Sequence, residues 1–233
     1  MNKKANKRRK IFHIFRLCGK MITVWTAAET VTAMVIMIEE RKNDTMKKSA
    51  AVFFATGFEE IEALTAVDLL RRAGIETVCV SIDNEKRVTG SHNITVEMDA
   101  GLDRLDFGLY DILICPGGMP GTKNLEACEW LTKNIRASYE NGKYIAAICA
   151  APGIFAHMGL LQGRKACIYP GMEDELYQNG AAVCADSRVM KSGTIITSRG
   201  LGTAIPFALE IVAVLLGQEK ADALARSIVY TED

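Results

Sequence analysis

From about residue 49 onward, short wholly apolar runs alternate with longer stretches that are apolar on one face only. Residues 50–55 are a continuous apolar run of strand length, which suits a strand buried on both faces of a parallel sheet. Thr56-Gly57 then turns the chain into a predicted helix over 59–73, where Ile61, Leu64, Val67, Leu69 and Leu70 form an apolar face and Gly74 stops the helix. A second strand is predicted at 77–81. Residues 88–98 alternate irregularly around Gly90 and predict an added ribbon or edge strand. The next buried strand is predicted at 111–115, followed by a helix over 124–139 and a strand over 144–148. Beyond Gly163 the pattern predicts a strand at 165–169, a helical piece at 173–178, and strands around Ala182 and Val189. A last strand at 194–198 and a long apolar closing helix over 201–216, ended by Gly217, complete the series. Repeated βα units of this kind imply an α/β fold, a doubly wound parallel sheet with helices on both faces.

The first 45 residues break this rhythm. Residues 1–20 are crowded with Lys and Arg, and residues 21–38 are mostly apolar but interrupted by Glu29. A signal peptide calls for a small-residue cleavage site, whereas Glu39-Glu40-Arg41-Lys42 follows. A membrane anchor is of marginal length, and Glu29 near its centre would cost a few kcal/mol. The reading preferred here is an N-terminal extension over 1–45, disordered or not native, ahead of one domain over 46–233.

Composition narrows the class. Of 233 residues 49% are hydrophobic, and Lys+Arg and Asp+Glu balance at 28 each, which gives a full-sized core and no electrostatic footprint for nucleic acid. Seven cysteines, an odd number without CxxC pairs or metal-ligand spacing, point to reduced thiols in a cytoplasmic protein rather than to a disulfide framework or a zinc site.

One cysteine stands apart. Cys149 ends the apolar run Tyr144-Ile145-Ala146-Ala147-Ile148 and is followed at once by Ala150-Ala151-Pro152-Gly153, with Pro152 acceptable only in a first helical turn. A strand that turns straight into a helix at a cysteine is a nucleophile elbow, which aims free N–H groups and a helix N-terminus at the sulfur and favours thiolate. Pro116-Gly117-Gly118 should reach the same sheet edge, where the N–H groups of Gly118 and Ala150 can form an oxyanion site. Glu59, Glu60 and Glu62 open the first helix. At about 100° per residue Glu62 shares a direction with Glu59 and not with Glu60, so Glu62 is the carboxyl group placed nearest the sulfur. Buried there, it would be driven toward its protonated form.

These segments, Gly57-Phe58-Glu59-Glu60-Ile61-Glu62, Leu69-Leu70-Arg71-Arg72-Ala73-Gly74, Cys115-Pro116-Gly117-Gly118, Ala146-Ala147-Ile148-Cys149-Ala150-Ala151-Pro152 and Thr197-Ser198-Arg199-Gly200, resemble the ThiJ/PfpI superfamily. They are closest to the branch that holds the Parkinson-disease-associated protein deglycase and its bacterial relatives. The resemblance implies a flavodoxin-like sandwich of the class I glutamine-amidotransferase kind, a homodimer, and no metal or organic cofactor. It assigns Cys149 as the reactive cysteine, Glu62 as its protonated partner, and Gly118 and Ala150 as the N–H donors around them.

Two departures matter. Tyr169-Pro170 stands where the human protein of that branch has a His-Pro pair, and Ala150 stands where the proteolytic branch has histidine. Of the three histidines, His157 lies eight residues past Cys149, about 12 Å along a regular helix, too far to take the thiol proton. It reads as a helix-surface or interface residue, and His92 in the ribbon would reach a site only across a dimer. Peptidase and glutamine amidotransferase readings therefore fall. Three functions remain: a Cys149-dependent enzyme turning small reactive carbonyls such as methylglyoxal or glyoxal into hydroxy acids, an oxidation sensor or chaperone built on the same thiol, and, by family naming alone, thiamine precursor metabolism. The expected partners are a small carbonyl substrate and a second copy of the chain, with no nucleic acid and no membrane.

Overall fold

A computed structural model describes residues 47–231, and the 1–45 extension lies outside them. The main sheet has seven strands: β1 (Ser49–Phe54), β2 (Glu76–Ser81), β5 (Ala100–Gly101), β6 (Ile112–Cys115), β7 (Tyr144–Ile148), β10 (Val189–Ser192) and β11 (Ile195–Ser198). Their order is β10-β11-β7-β6-β1-β2-β5, parallel throughout except for the antiparallel β10–β11 pair. The helices are α1 (Glu60–Ala73), α2 (Gly121–Ala127), α3 (Glu129–Glu140), α4 (Pro152–His157), α5 (Glu173–Gln178), α6 (Ala204–Leu216) and α7 (Gln218–Ser227). Among the described residues no helix is long and apolar enough to cross a membrane.

The apolar run of β1 shows why the sheet must be covered twice. Ala50, Val52 and Phe54 face one core with α1 and α6, while Ala51, Phe53 and Ala55 face a second core with α3 and α4. Alternate side chains of one strand thus feed both layers, and every residue from Ala50 to Ala55 is fully buried. Helix α1 ends as its sequence requires, with Gly74 at φ +91° closing the last turn on the Leu70 and Arg71 carbonyls.

Several elements differ from the sequence expectation. The 88–98 ribbon is a hairpin outside the main sheet, β3 (Arg87–Thr89) against β4 (Thr95–Glu97), and β5 behind it adds an unforeseen edge strand. The single helix over 124–139 is two, α2 and α3, because Cys128 is extended (ψ 90°) between them. The 165–169 strand shrinks to β8 (Lys165–Ala166), paired in parallel with β9 (Ala182–Val183). It stops there because the Cys167 N–H is taken by Thr197 Oγ1 and the Tyr169 N–H by the Cys149 carbonyl, so neither is free to continue a ladder. Residues 201–203 form a 3-10 turn ahead of α6, and α7 follows Gly217, so α6 does not close the chain.

Candidate active site

The sheet order makes β1, β6 and β7 neighbours, with the chain leaving β1 in one direction for β2 and returning on its other side as β6. Loops at the carboxyl ends of strands around such a switch point form the crevice in which open α/β sheets bind ligands. Here those loops carry Gly57, Gly117-Gly118 and Cys149. Because Cys115 pairs with Ala147, Gly117 comes level with Cys149.

Cys149 is a true elbow, with φ +65°. Such a backbone costs a β-carbon-bearing residue about 1–3 kcal/mol and needs bracing from outside. The Cys149 N–H donates to the Ser198 carbonyl, and the Tyr169 N–H donates to the Cys149 carbonyl, each at 2.9 Å. The facing loop can approach only as glycine: a Cβ on Gly117 would stand 2.5 Å from Cys149 Cβ and 2.6 Å from Glu62 Oε2. Gly118, at φ +93°, presents its own N–H to the sulfur.

Glu62 sits in the first turn of α1, 1% exposed. Its Oε2 accepts the Gly117 N–H at 2.9 Å, while Oε1, on the side of Gly200, has no hydrogen-bond partner among the described residues. Burial is the main force on this carboxyl group and, with the Glu59 charge, raises it to about 7 against the pull of the Cys149 and Gly117 hydrogen bonds. An orphaned buried oxygen is costly on a carboxylate and far cheaper on a neutral acid.

The thiol does not follow the sequence expectation of a favoured thiolate. Burial, then the charge and hydrogen bond of Glu62, push Cys149 up to about 12, and the amides of Ala150 and Gly118 offset only part of this. The amides are where the sequence placed them, but α4 has six residues, so its dipole is small. The site resists ionising both groups together. Once Glu62 holds the proton, its charge no longer opposes the sulfur and its O–H donates to it.

Of the neighbouring acids only Glu60 follows the helix-phase expectation; Glu59 is extended ahead of the helix and lies with Glu60 and His92 rather than in the direction of Glu62. Glu60 is buried but faces away from the sulfur, into the β3–β4 hairpin, where its carboxylate accepts the His92 N–H at 2.8 Å, the Ile94 N–H at 3.4 Å and a bond with His92 Nδ1 at 3.0 Å. Glu59, Glu60 and His92 could group around a cation, but the Glu60 oxygens are already engaged by these donors. His92 is thus tied to its own chain, and His157 pairs with Glu126 on the helix surface. No sequence signal assigned Tyr169 a role. The structure makes it the brace of the elbow and leaves its half-exposed ring beside Gly200 at the mouth of the site.

A flavodoxin-like α/β sandwich with a cysteine elbow facing a buried glutamate defines the class. The DJ-1/PfpI family model matches residues 48–214, and the chain belongs to that family. It is 36% identical over 184 residues to Protein dj-1beta of Drosophila melanogaster, covering 79% of this chain and 98% of the fly protein. It is 32% identical over 170 residues to the Caenorhabditis elegans protein named Glutathione-independent glyoxalase DJR-1.2, covering 73% of this chain and 89% of the relative. The solved structure of oxidized Toxoplasma gondii DJ-1 superposes with a TM-score of 0.75 at 36% identity, covering 79% of this chain and all of that one.

Proposed function

We propose that this protein is a cofactor-independent enzyme that converts small 2-oxoaldehydes such as methylglyoxal and glyoxal into hydroxy acids, with Cys149 as nucleophile and Glu62 as proton carrier. The observation that carries the reading is the buried Cys149–Glu62 pair, which holds a carboxyl group near neutrality against a thiol braced at the sheet edge. A relative named as a glyoxalase supports the substrate class.

The chemistry closes without a redox partner. Glu62 accepts the thiol proton as Sγ adds to the aldehyde carbon, and the N–H groups of Gly118 and Ala150 receive the oxyanion of the hemithioacetal. Glu62 passes the thiol proton on to that oxyanion and, a carboxylate again, takes the hydrogen of the same carbon as a proton. The new hydroxyl's proton shifts to the adjacent carbonyl oxygen, and Glu62 delivers its proton to the adjacent carbon. The resulting thioester is hydrolysed by water, which frees the hydroxy acid and restores the thiol. Methylglyoxal plus water gives lactate.

The test is conversion of methylglyoxal to lactate over many turnovers by the parent and by Cys149→Ser and Glu62→Gln. Losing the nucleophile or the proton carrier is expected to cost at least ~100-fold in kcat/KM. Equal rates in all three proteins would refute the assignment. A second reading, an oxidation sensor, draws on the same pair, because a protonated Glu62 can donate to an oxygen added on Sγ. Stoichiometric oxidation of Cys149 without turnover would favour it.

A further inference from the structure

Cys167 and Cys184 lie outside the Cys149 machinery, and strand pairing brings them together. β8 and β9 run parallel with Ala166 opposite Val183, and the Cys184 N–H donates to the Ala166 carbonyl at 2.8 Å. The next pair along both strands is Cys167 and Cys184. Adjacent strands are ~4.8 Å apart and opposed residues share a face, which falls inside the roughly 4.4–6.8 Å Cα window of a disulfide.

Both thiols are free, and each lies within the electrostatic reach of the other. Cys167 is buried and held, with its N–H on Thr197 Oγ1 at 3.0 Å and its Sγ 3.3 Å from the Thr197 carbonyl. Cys184 is half-buried, and among the described residues its sulfur makes one weak hydrogen-bond contact, to the Ala182 carbonyl at 3.7 Å, so a χ1 rotation can bring it round. Burial pushes the Cys167 thiol up, an effect that the Thr197 hydrogen bond and the nearby Arg199 cation offset only in part, and the Arg199 Nε is buried without a hydrogen-bond partner among the described residues.

We propose that Cys167 and Cys184 form a dithiol oxidation site distinct from Cys149, closing a reversible disulfide on exposure to hydrogen peroxide. The more accessible Cys184 sulfur attacks one peroxide oxygen and becomes a sulfenic acid as water leaves. The Cys167 sulfur then displaces the sulfenic oxygen, which takes up the Cys167 thiol proton and leaves as a second water. Two thiols lose two electrons and two protons, and peroxide is reduced to two waters. The bridge would brace the segment leading to Tyr169, whose N–H holds the Cys149 carbonyl.

The test uses the full chain carrying Cys149→Ser, treated with hydrogen peroxide, denatured, alkylated at its remaining thiols and digested. Trypsin cuts at Lys165 and Arg188 and releases both cysteines on one peptide, residues 166–188. That peptide is expected unalkylated and two hydrogens lighter, with its halves still joined after cleavage at Glu173 or Glu175 until dithiothreitol separates them. Cys184→Ser, checked for an unchanged melting temperature, should lose the species entirely. Full alkylation of both cysteines after peroxide, their separate conversion to oxygen adducts, or a bridge from either to another cysteine would overturn the proposal.

Discussion

Glu62 and Cys149 compete for protons in a crevice that tolerates one negative charge far better than two. The Glu62 carboxyl titrates near 7 in the folded protein and ordinarily at 4.5. Between those values the unfolded chain has released its proton and the native state has not, so rising pH favours unfolding across this window and the penalty is complete above 7. It amounts to roughly 3 kcal/mol if Glu62 acts alone. Urea unfolding at pH 5 and pH 8 should therefore show Glu62→Gln gaining on the parent at the higher pH, and a constant difference would refute the burial argument. In turnover, kcat/KM should rise through a limb near pH 7 that Glu62→Gln lacks. Cys149 and Glu62 were legible as residues because elbow and helix phase are local signals. Their proton balance was not, since burial on the folded sheet edge decides it.

Helix α1 joins two structures through adjacent side chains. Glu62 faces the sulfur, while Glu60, two residues earlier, fastens the β3–β4 hairpin, which also touches the site loop where the Gly57 N–H donates to the Thr89 carbonyl at 2.9 Å. Burial would raise Glu60, but hydrogen bonds from the His92 ring and the His92 and Ile94 amides hold it down to about 2. Its stabilisation is therefore complete above the ordinary 4.5 and is lost as pH falls toward 2. Glu60→Ala strands those amides and should cost about 2–4 kcal/mol at pH 7, shrinking as pH falls through that window, as measured by urea titration. The helix break at Cys128 and the early end of β8 left no mark on the hydrophobic pattern. Each depends on where particular N–H groups find acceptors, and for β8 those acceptors are distant in sequence.

Across the described residues, two apolar layers on either side of one sheet carry the fold. A chain starting at Met46 is accordingly expected to fold, to unfold cooperatively and to keep the kcat/KM of the full chain. Circular dichroism and methylglyoxal turnover of the two proteins side by side would check this, and loss of either property would show that the first 45 residues belong to the working unit. The strand order also places the site: β6 returns beside β1 and β7 beside β6, so loops that start about 60 and 30 residues apart converge on one sulfur.

By itself the sequence determined the βα rhythm, the two-sided burial of β1 and the elbow at Cys149, because each depends on residues close together in the chain: apolar period, glycine and proline placement, and helix phase. Tertiary structure alone decided what depends on partners far away in sequence. It set Tyr169 as the brace of the elbow, turned Glu60 away to the hairpin, and aligned Cys167 with Cys184. It also set the ionisation of the Cys149–Glu62 pair, because desolvation and charge coupling exist only once the sheet edge has closed around both groups.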